Sequence, residues 1–77
     1  MINEEFYEGG DMSTAKIIEV ISEGASVEES IQNGVKDAAK SVTGIKGVYV
    51  KEIQAIVDNQ QVTAYRTILK ITFVVEN

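Results

Sequence analysis

Tyr49, Lys51, Arg66 and Lys70 are the residues of this chain with the most chemical reach, and their spacing places them together. Side chains two apart on a strand share a face, so Gly47, Tyr49 and Lys51 line one extended segment while Arg66, Ile68 and Lys70 line another. If the segments pair, one side of the ribbon carries a ring, two ammonium groups and a guanidinium. A groove there is cationic and suits a small anionic ligand, because guanidinium grips phosphate through paired hydrogen bonds. A purely structural reading competes: Tyr49 packs in an interface, and Lys51, Arg66 and Lys70 pair with acids of neighbouring subunits such as Glu52 or Asp58. Asp58 and Asn59 offer oxygens to Ca²⁺, although a lone acidic turn is ordinarily only a turn.

Composition excludes most other chemistry. The chain of 77 residues holds no Cys and no His, which removes thiolate nucleophiles, zinc–thiolate sites, disulfides and histidine-based acid–base catalysis. Its carboxylates are scattered, and it shows no nucleophile–base pair and no glycine-rich phosphate loop, so an enzyme is not expected. The net charge is −5, but Glu4, Glu5, Glu8 and Asp11 all fall in the first eleven residues. The body is close to neutral, which gives no indication of a nucleic-acid partner. No apolar run approaches the roughly 20 residues of a membrane span, and no secretory pattern opens the chain, so no membrane partner and a cytoplasmic location are expected.

The element that must position the cationic residues is a long hairpin from about Gly47 to Glu76, reversing near Asp58-Asn59-Gln60-Gln61. Both arms are rich in Val, Ile, Thr, Tyr and Phe, which fit a pleated surface. Pairing across the turn sets Val57 opposite Val62, Ile53 opposite Arg66 and Val50 opposite Leu69. One face then holds Val48, Val50, Glu52, Gln54 and Ile56 with Tyr65, Thr67, Leu69, Ile71, Phe73 and Val75. The other holds Gly47, Tyr49, Lys51, Ile53, Ala55 and Val57 with Val62, Ala64, Arg66, Ile68, Lys70, Thr72 and Val74. The apolar side switches along the ribbon. Either a β-bulge near Lys51-Glu52 rotates the strand, or opposite faces are buried against different partners. The second is preferred, because a bulge alone leaves the run Ile68 to Val75, apolar on both faces, half exposed.

Before the hairpin, residues 1–12 read as a flexible acidic arm and residues 13–77 as the domain. Ala15 to Ser22 is a β-branched strand, and Glu23-Gly24-Ala25 a loop. Ser26 and Glu29 form a capping box. Val27, Ile31, Val35, Ala38, Ala39 and Val42 then recur at helical spacing, predicting one amphipathic helix from Val27 to Thr43. Gly34 marks a close approach of that helix to the sheet, and Gly44 a left-handed residue just past its end. A right-handed crossover makes the outer strands parallel, with the last strand between them, in sheet order 1-3-2. The expected class is α+β, a β-α-β-β subunit with a three-stranded sheet wrapped around one helix. One helix cannot cover so long a hairpin, so the apolar residues near the turn, Ile53, Ala55, Val57, Val62 and Ala64, are expected to meet other copies of the chain.

The segments AKIIEVISEG, SVEESIQNGVKDAAKSV, GIKGVYVKEIQAIV and VTAYRTILKITFVVE resemble the dodecin family in order and spacing from about Ser13 to Glu76. The resemblance implies a hollow homododecamer that stores or sequesters flavin without catalysis. In flavin-binding members a tryptophan stands where this chain has Gly47, and a flavin-bonding glutamine where it has Arg66. These replacements imply a weakened flavin site, with Tyr49 partly replacing the ring, Lys51 beside it, and Arg66 favouring FMN over riboflavin. The alternative implied is a dodecin-fold assembly without flavin, structural or ion-binding, as in the calcium dodecins that also lack the tryptophan.

Overall fold

The computed structural model describes residues 14–75. The expected N-terminal arm at 1–12 lies outside them. The order is β1 (Thr14–Gly24), α1 (Val27–Ala38), β2 (Ile45–Asp58) and β3 (Gln61–Val75). Both outer strands pair antiparallel with the central β3, in order β1-β3-β2. This is the expected α+β subunit, and its most apolar strand lies in the middle, where neighbours flank it on both sides.

The helix begins where the capping residues place it. Ser26 is extended, and its Oγ accepts from the Glu29 amide at 3.0 Å. Glu29 reaches one residue beyond the usual box, its Oε1 accepting from the Ala25 amide at 2.8 Å. The helix ends at Ala38 rather than Thr43. Tight turns follow, with the Ser41 and Val42 amides both bonding to the Ala38 carbonyl at 3.0 Å. The chain must turn there to dock on the sheet end: Gly44, at φ 75°, accepts from the Val74 amide at 3.0 Å. Gly44 is left-handed as expected, but it serves the strand contact and not the helix cap.

The face that α1 buries is lined by small residues. Ser30, Gly34 and Ala38 are buried, Val27, Ile31 and Val35 are half-buried beside them, and Ala39 is exposed. A Cβ on Gly34 would stand 2.5 Å from Leu69 Cδ1 and 3.3 Å from Ser22 Cβ, so the close approach is real. Ser30 Oγ donates to the Ser22 carbonyl at 2.9 Å and lies 2.8 Å from Thr67 Oγ1, a hydroxyl pair wholly out of water. Ala38, Leu69 and Ile71 form the centre of the core, packed by Ile18, Val20, Ile31, Ile45, Val48 and Val50.

Three register shifts interrupt the β2–β3 ladder, leaving Lys46, Lys51 and Thr63 as extra residues. Val57–Val62 and Val50–Leu69 pair as expected, but Ile53 pairs with Thr67 and Gln54 with Arg66. The extra residue at Lys51 is the bulge set aside above, and it reverses the face assignment beyond it. Ile53 and Ala55 share the face of Val48, Val50, Thr67 and Leu69, whereas Glu52, Gln54 and Ile56 turn outward with Arg66 and Ile68. The apolar side therefore does not switch. A helix of 12 residues spans about 18 Å, and the 15 residues of β3 reach about 50 Å. Hence the hairpin tip is bare: Ile53, Val57 and Val62 are 57%, 60% and 53% exposed.

Candidate functional site

The outer face, away from the helix, carries every residue singled out for binding. The pairing arranges it in rows across β1, β3 and β2: Glu23, Arg66 and Gln54; Ile21, Ile68 and Glu52; Glu19, Lys70 and Tyr49; Ile17, Thr72 and Gly47. Lys51, bulged between Val50 and Glu52, reaches back across the sheet to donate to Glu19 Oε2 at 3.2 Å. Arg66 donates from Nε at 2.9 Å and from Nη2 at 2.6 Å to the same oxygen, Glu23 Oε2. Tyr49 is 65% exposed, and a Cβ on Gly47 would meet nothing within 4 Å.

Two expectations change. The face is not a cationic groove, because Glu19, Glu23 and Glu52 share it with Lys51, Arg66 and Lys70. Within the chain Lys51 pairs with Glu19 and Arg66 with Glu23. Nor do the four candidates form one pocket. Tyr49 and Lys51 gather at the Lys70 row, but Arg66 lies six residues along β3 from the Thr72 row of Gly47, about 20 Å away. A ring over Gly47 in one chain cannot touch Arg66 of that chain.

Glu19, Ile21 and Glu23 of β1 were not anticipated as part of this surface, whereas Ile68 was. The signal was present in the alternation of Ile17, Glu19, Ile21 and Glu23; it acquires meaning only once β1 is paired with β3. A separate recess of about 560 Å³ lies between the 41–44 turn, Lys46 and Phe73–Val75, and contains none of Tyr49, Lys51 or Arg66. Among the described residues no group of three or more His, Cys, Asp or Glu side chains is arranged to hold a metal ion, and no helix is long and apolar enough to cross a membrane.

Comparison with known proteins gives one family. The dodecin family model matches residues 14–76. Among solved structures, the chain is similar to a Thermus thermophilus dodecin variant (24% identity, TM-score 0.78, covering 84% of this chain and 98% of that one). It is also similar to dodecins of Streptomyces coelicolor (21%, 0.78, 84% and 94%) and Streptomyces davaonensis (17%, 0.78, 84% and 97%). No curated protein sequence matches significantly.

Proposed function

The chain belongs to the dodecin family, and on that premise we propose that it is a non-catalytic, homo-oligomeric protein that binds and sequesters flavin at a weakened site between copies, with the dodecamer as its assembled state. The observation that carries this reading is the separation of the candidates on one continuous face: Gly47 and Tyr49 lie at one end of the rows and Arg66 at the other. A ligand using both ends needs a second copy. The bare apolar tip at Ile53, Val57 and Val62 supplies a reason for copies to associate. Without an indole at position 47, stacking is reduced by roughly 1 to 3 kcal/mol, about tenfold to a hundredfold in affinity.

A titration of flavin fluorescence tests this. The wild type is expected to quench riboflavin and FMN weakly, and Gly47→Trp to quench both at least tenfold more tightly, since the space above Gly47 is open. An intact oligomer of Gly47→Trp that quenches neither flavin rejects the site. The second reading, an assembly without flavin in a structural or ion-binding role, is favoured by the Lys51–Glu19 and Arg66–Glu23 pairs, which already occupy the cations within one chain.

A further inference from the structure

We infer that Glu23 sets the charge selectivity of the outer face: by holding Arg66 it makes the ligand site indifferent to a phosphate group, so that the chain does not prefer a phosphorylated ring compound over its uncharged parent. This deepens the flavin reading and rests on it. Taken alone, Arg66 marks a phosphate site, because a guanidinium offers paired donors on one edge. In the folded chain the edge formed by Nε and Nη2 is spent on Glu23 Oε2. The pair is built into the sheet, since Glu23 and Arg66 are directly opposite each other on β1 and β3. An incoming phosphate therefore meets a guanidinium already paired with a carboxylate at 2.6–2.9 Å. Most of the attraction is offset by repulsion.

The neighbouring row points to the same ligand class. Ile21 and Ile68 form an apolar floor between the Glu23–Arg66 and Glu19–Lys51 pairs. Such a floor between balanced charges favours a flat, uncharged ring system over a dianion.

The experiment compares riboflavin with FMN, by fluorescence quenching, on wild type, Glu23→Gln and the double variant Glu23→Gln/Arg66→Gln, with oligomeric mass checked for each. The wild type is expected to bind the two within about threefold, with little salt dependence. Glu23→Gln is expected to shift the ratio toward FMN by about threefold to tenfold, the scale of an exposed ion pair, and to lose that shift at high salt. The double variant should cancel it. A wild type that already prefers FMN tenfold, or a Glu23→Gln ratio equal to the wild-type ratio, overturns the inference. If no variant quenches either flavin, the flavin reading falls by itself, and inorganic phosphate decides the selectivity, followed by the Arg66 Nε–H resonance. Saturation at several-fold lower phosphate in Glu23→Gln than in wild type sustains the role of Glu23, and identical titrations reject it.

Discussion

Leu69 and Ile71 are fully buried, while Ile53 and Val57, on the same side of the same hairpin, are more than half exposed. The residue types are alike, and the bulge at Lys51 keeps them on one face. What differs is the cover. The helix crosses β1 and β3 at the open end through Ser30, Gly34 and Ala38, and it stops far short of the tip. The covered half is a finished core, closed by a contact at Gly34 so tight that an added methyl would displace Leu69. Among the described residues the bare half has the composition of a core and no second layer, a surface suited to contact with another copy.

The sharpest way to break this comparison is a charge in the bare half. Val57→Asp should abolish assembly, because an unpaired carboxylate cannot be desolvated at a contact between copies. Light scattering of the wild type should give a mass near twelve chains, and the variant should give a small species with near-wild-type circular dichroism. A wild-type monomer at micromolar concentration, or a variant that still assembles, would refute the assignment of the tip as an interface. Next in size is a substitution in the covered half. Gly34→Ala gains about 1 kcal/mol in helix propensity, yet its methyl would stand 2.5 Å from Cδ1 of the fully buried Leu69, which must shift to admit it. With overpacking near the upper end of its usual range of about 1–3 kcal/mol, a net loss of about 1–2 kcal/mol is expected in urea denaturation. An unchanged midpoint would show that the helix can lift from the sheet.

How much of this could be read beforehand follows the same division. The β-branched runs, the capping box at Ser26 and the crossover argument were sufficient for element order and sheet order, because each rests on local chemistry or a chirality rule. The bulge was legible only as one of two alternatives, from the switch of the apolar side near Lys51-Glu52, and the run Ile68 to Val75, apolar on both faces, argued against it. The helix end was misplaced because Ala39, Lys40 and Ser41 are acceptable in a helix and nothing local stops it. The stop comes from Gly44 docking on Val74. Of the three buried helix residues, Ala38 lay on the expected stripe and Gly34 was expected at a close approach, while Ser30 was missed because a hydroxyl does not read as a core position. As for the candidate site, the face of Gly47, Tyr49, Lys51 and Arg66 was legible by alternation. Neutralisation of the two cations was not, because Glu19 and Glu23 lie more than 30 residues away in the chain and reach them only through the β1–β3 register.

A smaller effect separates the two partners of the buried hydroxyl pair. Ser30→Ala strips both Thr67 Oγ1 and the Ser22 carbonyl of a side-chain partner, whereas Thr67→Val leaves Ser30 bonded to Ser22. Ser30→Ala should therefore cost about 1–2 kcal/mol and Thr67→Val about 1 kcal/mol or less, read from denaturation midpoints. The reverse order would mean that the hydroxyl pair, and not the carbonyl bond, anchors the helix.

The smallest expected effect lies at the far end of the bare half. Asn59 and Gln60 turn the hairpin with φ of 55° and 67°, the geometry of a two-residue turn whose twist matches the strands and whose second position favours glycine. A side chain held left-handed costs about 1–2 kcal/mol, and the greater freedom of glycine in the unfolded chain returns about 0.5–1 kcal/mol of that cost. Gln60→Gly should thus stabilise by about 0.5 kcal/mol, a rise of roughly 2–4 °C in Tm for a domain of this size. The rise appears only if the tip melts together with the core. If neighbouring copies hold the tip, as proposed, the gain should be visible in the assembled protein. In the Val57→Asp background the uncovered tip opens before the core melts, and the same substitution should leave Tm unchanged. An equal rise in both backgrounds would show that the hairpin holds its tip without neighbours, and that the exposed apolar half is a rigid strand pair in its own right.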